Sequence, residues 1–120
     1  MTLLKQRLGK FGEELACKYL KEKGYKIINQ NYYARSGEID IVAEYNDVLV
    51  FVEVKTRTNQ TFGLPEEAID YHKQRKLIKT VEYYLLKHNL SDQDYRIDFV
   101  AIEIDRQTKR AKIRHEENIV

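Results

Sequence analysis

The segment GEIDIVAEYNDVLVFVEVKTR, residues 37–57, constrains the fold more than any other part of the chain. It reads as two apolar strands joined around Asn46-Asp47. With Tyr45 opposite Val48, one register pairs Ala43 with Val50, Ile41 with Val52, Asp40 with Glu53, Ile39 with Val54 and Glu38 with Lys55. Side chains alternate across a strand, so Ile39, Ile41, Ala43, Val50, Val52 and Val54 make one wholly apolar face. The other face carries Val42, Leu49 and Phe51 near the turn. At its far end it gathers Glu38, Asp40, Glu53 and Lys55.

Charges planted in good sheet material call for a reason. Opposed side chains have Cβ atoms roughly 4.5–5.5 Å apart. Two carboxylates at that separation repel each other, and one resists ionising. A hard divalent cation such as Mg²⁺ relieves the repulsion, and it commonly takes one or two carboxylates plus waters and phosphate oxygens. Lys55, two residues after Glu53, projects on the same face, where it can orient a water or neutralise a phosphate. Asp40, Glu53 and Lys55 thus have the parts needed for metal-assisted phosphodiester hydrolysis. The alternative is the solvated face of an amphipathic hairpin.

The remainder of the chain supplies elements around this hairpin. Leu3 to Lys23 is expected to be a helix, with Leu4, Leu8, Phe11, Leu15 and Tyr19 as its apolar stripe and Gly24 as the cap beyond it. On its flank, Gly9, Ala16 and Leu20 are small or apolar, and Glu13 lies just beyond them. Glu13 could therefore lean over the sheet as a third acid, or be an ordinary surface glutamate. A strand YKIINQNYY and a turn ARSG precede the hairpin. A polar loop TRTNQTFGLP, punctuated by Gly63 and Pro65, follows it. EEAIDYHKQRKLIKTVEYYLLKHNL is expected to be helical in one or two pieces, with Leu77, Ile78, Val81, Tyr84 and Leu85 inward. YRIDFVAIEID suits a central strand covered on both faces, and AKIRH a short last strand. The order predicts an α/β fold with a mixed central sheet flanked by helices, and 120 residues suit a single domain, 1–120.

A formal charge of +2 is too small to argue for nucleic acid by itself, so only local clustering can do so. YHKQRK with Lys79 offers such a cluster: Lys73, Lys76 and Lys79 recur at three-residue spacing and could follow a phosphate backbone, or simply face solvent. Arg35, Arg57, Tyr32 and Tyr33 sit around the charged end of the hairpin as further candidate DNA contacts. The three histidines have no ligand spacing, which speaks against zinc. No phosphate-binding glycine loop is present. A single cysteine, Cys17, allows no internal disulfide and fits a reducing, cytoplasmic setting. No segment approaches the ~20 apolar residues of a membrane span, so no membrane association is expected.

GKFGEELACKYLKEKGYKIINQNYYARSGEIDIVAEYNDVLVFVEVKTR, then FGLPEEAIDYHKQRKLIKTVEYYL and YRIDFVAIEI, resembles the YraN family of small bacterial proteins, which are regarded as nuclease-like. GEIDIVA followed by VFVEVKTR carries most of that resemblance. The family in turn resembles the restriction-endonuclease superfamily and its Holliday-junction resolvases. The resemblance implies a restriction-endonuclease-like αβββαβ core. It implies Asp40, Glu53 and Lys55 as a D…E-x-K catalytic site, with Glu13 as the helix acid of the resolvase-like members. Asp40, Glu53 and the backbone carbonyl of Val54 would hold Mg²⁺ or Mn²⁺, and Glu13 a coordinated water or a second ion. Gln74 lies in a segment that the family shares and joins the candidate nucleic-acid contacts. The implied activity is metal-dependent endonucleolytic cleavage of DNA, with branched or structured DNA as a candidate substrate and a homodimer as a candidate assembly. The rival is a non-catalytic nucleic-acid-binding or adaptor module that keeps the nuclease fold.

Overall fold

A computed structural model describes residues 3–58 and 65–120. Helix α1 spans Leu3–Glu22, followed by strands β1 (Lys26–Ala34), β2 (Gly37–Tyr45) and β3 (Val48–Thr58). A short 3₁₀ turn, Pro65–Ala68, leads into α2 (Tyr71–Lys87), and β4 (Tyr95–Ile104) and β5 (Ala111–Glu116) complete the chain. The sheet order is β1-β2-β3-β4-β5, with β3 and β4 parallel and every other neighbour antiparallel. The expected α/β class and αβββαβ order are met, and the last strand is present. Among the described residues no helix is long and apolar enough to cross a membrane.

Local chemistry explains the boundaries. Gly24, at φ +96°, ends α1 in a left-handed cap. There Tyr25 N–H donates to the Leu20 carbonyl at 2.9 Å and Gly24 N–H to that of Lys21 at 3.0 Å. The hairpin turn falls on Asn46 and Asp47 as expected, both with positive φ (51° and 63°), which matches the right-handed twist of the flanking strands. Asp70 caps α2 by accepting from Lys73 N–H. Thr56, Arg57 and Thr58 were expected in a loop but extend β3, because β4 offers each a parallel partner: Ile102, Glu103 and Ile104. Most of the rest of that loop, including Gly63, lies outside the described residues.

Each face of the sheet buries one helix. Beneath α1 lie Ala16, Cys17 and Leu20 with Ile41, Val52, Val100 and Ile102. Beneath α2 lie Leu77, Val81, Tyr84 and Leu85 with Val42, Phe51 and Ile97. The inward face of α2 is thus the expected one, with Ile78 at its margin. That of α1 is not. Leu4 and Phe11 are 68% and 49% exposed, and the packed face is Gly12, Ala16, Cys17 and Leu20, with Leu15 and Tyr19 at its border. Small residues won because they let the helix backbone lie close on β3. A Cβ built on Gly12 would stand 1.7 Å from Thr56 Oγ1.

A second polar feature lies under the α1 side. Asp98 is fully buried and accepts hydrogen bonds from Arg96 Nε, His115 Nε2 (2.7 Å) and Asn118 N–H (2.9 Å). Burial pushes its carboxyl up, but these donors outweigh burial and hold it below the ordinary carboxylate range. The ionised acid thereby ties β5 and the residues after it to β4.

Candidate metal and nucleic-acid site

The hairpin register is the expected one from Tyr45↔Val48 to Ile41↔Val52, and there the β2–β3 ladder stops. Beyond it β2 continues beside β1, pairing Ile39 with Tyr32 and Glu38 with Tyr33. β3 continues beside β4, pairing Glu53 with Phe99 and Lys55 with Ala101. The two strands therefore fork where the four charges begin. Asp40 with Glu53 and Glu38 with Lys55 are not ladder pairs, which corrects the simple extrapolation of the register. Across the fork the Asp40 side chain takes the role of a backbone acceptor: Val54 N–H donates to its Oδ2 at 2.8 Å.

The pleat of β2 also slips here. Ile41 and Ala43 pack beneath α1, whereas Ile39 packs with Val42 and Phe51 beneath α2. The wholly apolar face expected for Ile39, Ile41 and Ala43 is therefore broken at Ile39. On the neighbouring strand Asn31, between the partners of Ile39 and Ile41, takes a φ of 53°. A left-handed residue in β1 and a departing β3 both relax the alternation that a regular ladder would impose.

Asp40 is only 4% exposed. Its carboxyl and that of Glu53 hydrogen-bond each other. Burial, with the Glu53 charge next, pushes Asp40 up to about 9. Burial likewise raises Glu53, against the pull of Lys55 and Lys73. Two carboxyls in contact share a proton when no cation is present. Glu13 reaches the same place from α1. Burial first, then the Asp40 and Glu38 charges, push it up to about 7, while a hydrogen bond with Asn31 opposes the shift. The close approach at Gly12 is what brings its neighbour Glu13 over the sheet. On the other side Lys55 is pushed down, by burial first and then by the positive charges of Arg57 and Lys73.

A cleft of about 210 Å³ opens beside these groups, with Glu38, Glu53, Lys55, Lys73, Lys76 and Thr80 in its wall. Lys73 and Lys76 thus stand beside the acids, a placement that their helical spacing alone did not specify. Lys79 is exposed and lies outside the wall, a third of a helix circumference from Lys73. Gln74 is half-buried and also outside it. Arg35 is exposed in the β1–β2 turn, and Arg57 follows Lys55 on the same side of β3, its Nε buried without a hydrogen-bond partner. Tyr32 packs edge-on against Tyr84, while its neighbour Tyr33 is 72% exposed and its hydroxyl hydrogen-bonds Glu38. Nothing in the sequence pattern separates these two tyrosines except strand parity.

Among the described residues no group of three or more acidic, histidine or cysteine side chains is arranged to hold a metal ion. The donor set is instead the sparse one that suits a hard cation. Asp40 and Glu53 are two crowded carboxyls whose repulsion a cation would cancel, and an open cleft beside them admits water and phosphate oxygens. His115 is engaged by Asp98.

An α/β sheet that forks around an acid pair, with lysines along the adjoining cleft, defines the class of protein. The chain belongs to the uncharacterised protein family UPF0102, the same family as YraN, whose pattern matches residues 12–102. It is 45% identical to a UPF0102 protein of Alkaliphilus oremlandii over 115 residues, covering 96% of this chain and 98% of that one. It is 44% identical over 101 residues to a relative in Caldanaerobacter subterraneus subsp. tengcongensis, covering 84% and 83% of the two chains. It is 42% identical over 113 residues to one in Moorella thermoacetica, covering 94% of each.

Proposed function

We propose that this protein binds DNA and hydrolyses its phosphodiester bonds with the help of Mg²⁺ or Mn²⁺, as the restriction-endonuclease-like reading of its αβββαβ order implies. The observation that carries this reading is the Asp40–Glu53 carboxyl pair at the β2–β3 fork, with Lys55 two residues further along β3. Such a pair is costly to a fold that leaves it empty, and useful to one that fills it.

Asp40, oriented by the Val54 N–H, and Glu53 would hold the cation, with the Val54 carbonyl as a further ligand. A bound divalent ion would supply Lewis-acid stabilisation of charge on the phosphate. Lys55 projects into the same cleft, where its ammonium would steady the negative charge that develops on the phosphate as water adds to phosphorus and the P–O bond to the leaving sugar oxygen breaks, that oxygen taking a proton from solvent. Glu13, pushed up to about 7, is matched to accept a proton from that water near neutral pH. Lys73 and Lys76 would seat a flanking phosphate along the cleft wall.

The test is a cleavage panel of duplex, single-stranded, flapped and four-way DNA with Mg²⁺, Mn²⁺ or a chelator. Metal-dependent cutting by the wild type, lost in Asp40→Asn and in Lys55→Ala with far-UV circular dichroism retained, is the expected result. DNA binding without cutting on every substrate assigns the chain to the non-catalytic binding modules instead. Cutting at the wild-type rate by either variant removes the assigned site.

A further inference from the structure

Tyr33 is the most exposed large hydrophobic side chain among the described residues, at 72%. Among the described residues no ring packs against it, in contrast to Tyr32 beside it, which meets both Tyr84 and His88. Its backbone is nonetheless held, paired with Glu38 in the β1–β2 ladder, and the Tyr33 hydroxyl hydrogen-bonds the Glu38 side chain. An aromatic ring left in solvent at the rim of a charged site gains no packing in the free protein. A ligand surface that covers the ring supplies the missing packing.

The surroundings decide which ligand. Glu38, Glu13 and Asp40 all act electrostatically on the Tyr33 hydroxyl. A phosphate is repelled there, whereas an uncharged flat ring is not. Basic peptide would suit the acids, but Lys55, Lys73 and Lys76 across the cleft repel it. The order across the sheet is Tyr33 on β1, the acids on β2, and Glu53 with Lys55 on β3. Tyr33 and Glu38 lie on one arm of the fork and Glu53 with Lys55 on the other, so the acids stand between the ring and the lysines.

We propose that Tyr33 is a stacking platform for an unpaired nucleobase beside the Asp40–Glu53 pair, so that this site takes nucleic acid that is locally single-stranded next to the phosphate it engages. This rests on the nuclease reading and narrows its substrate. Within a perfect duplex each base face is already covered by its neighbours, so the platform gains nothing there.

The test measures binding in Ca²⁺ of a single-stranded oligonucleotide, a duplex with a short gap, and a perfect duplex. Wild type, Tyr33→Phe and Tyr33→Leu are compared, with Lys73→Glu/Lys76→Glu as a variant that reports engagement of the nucleic-acid backbone. Loss of the ring in Tyr33→Leu should weaken the single strand and the gapped duplex by about five- to a hundredfold. The perfect duplex should be unaffected, and Tyr33→Phe, which keeps the ring, should stay within about threefold of wild type on all three, given the modest net worth of one hydrogen bond. A 2-aminopurine placed in the single strand should be quenched by wild type and regain emission with Tyr33→Leu. Equal loss on all three substrates, or none on any, overturns the platform while leaving the nuclease reading in place. So does a loss confined to an arginine-rich peptide probe. Absence of binding by wild type to every DNA, unaltered by the lysine reversal, overturns both.

Discussion

Replacing Gly12 by alanine should destabilise the protein, whereas the same change at Gly9 on the same helix should stabilise it. Alanine in a helix interior is favoured over glycine by about 1 kcal/mol. At Gly9 a Cβ meets nothing within 4 Å, so that gain is realised. At Gly12 the Cβ would lie 1.7 Å from Thr56 Oγ1, 2.9 Å from Thr56 Cβ and 3.1 Å from Thr56 Cγ2. A turn of the threonine can move Oγ1, but its Cβ is carried by the β3 backbone, so α1 must lift. Overpacking of this kind costs about 1–3 kcal/mol, which exceeds the helix gain and leaves a net loss of about 1 kcal/mol. The two variants should then differ by about 2 kcal/mol, or roughly 8 °C in Tm at about 4 °C per kcal/mol. Urea titrations of both variants at equal m-value give the comparison directly. Adding Thr56→Ala to Gly12→Ala should recover part of the loss, because only the Cβ clash remains. Equal shifts for the two alanines, or no coupling to Thr56, would refute the close approach of α1 to β3 on which the position of Glu13 depends.

Saturating Mn²⁺ should raise the wild-type Tm by several degrees relative to a chelator, since a cation at a hundredfold excess over Kd adds about 2.7 kcal/mol; Asp40→Asn should lose most of that response, and equal responses would take the ion away from the acid pair. Without metal, Asp40 and Glu13 have pKa values raised by burial to about 9 and about 7, so their stabilising contribution is complete below their unfolded values and is lost as pH rises. Urea stability in chelator should therefore fall from pH 5 to pH 8, and Asp40→Asn should flatten that fall; the difference between the two proteins is the quantity to read, because all other groups are common to both. Lys73→Glu/Lys76→Glu should weaken DNA affinity and reduce the slope of log affinity against log salt, by about 0.9 for each duplex phosphate that is no longer neutralised. An unchanged slope would return that wall of the cleft to solvent.

The hairpin was the legible part of this chain, since its turn residues and period-two alternation depend only on neighbours in sequence. The five-pair register from Tyr45↔Val48 followed from that local pattern. What happens past Ile41 did not, because the ladder there is broken by competition: β1 holds β2, β4 holds β3, and neither partner is visible from the hairpin itself. Ile39 moved to the opposite face for the same reason. On α1 the count of large apolar residues pointed to Leu4 and Phe11, yet packing chose Gly12 and Ala16. Helix periodicity registers the size of side chains, while closeness to a sheet rewards their smallness. Asp98 gave no signal at all. It sits one position from Phe99 in an apolar run, and its partners Arg96, His115 and Asn118 come from within two residues and from about twenty residues away. The order of elements was readable, but the nearness of Lys73 and Lys76 to the acids was not, because it depends on how the crossover helix lies across the strands it connects.

The fork has a spectroscopic consequence. Val54 N–H is hydrogen-bonded to a carboxylate oxygen of Asp40 rather than to a peptide carbonyl of β2, so its amide proton senses the charge of one side chain. Ionisation of Asp40, or its engagement by a diamagnetic cation such as Mg²⁺, changes the polarity of that acceptor and moves a single main-chain resonance, while amides further toward the turn keep ordinary ladder partners. The protein thus carries an intrinsic reporter at its acid pair, readable by titration in ¹⁵N-edited spectra with no label beyond the backbone itself.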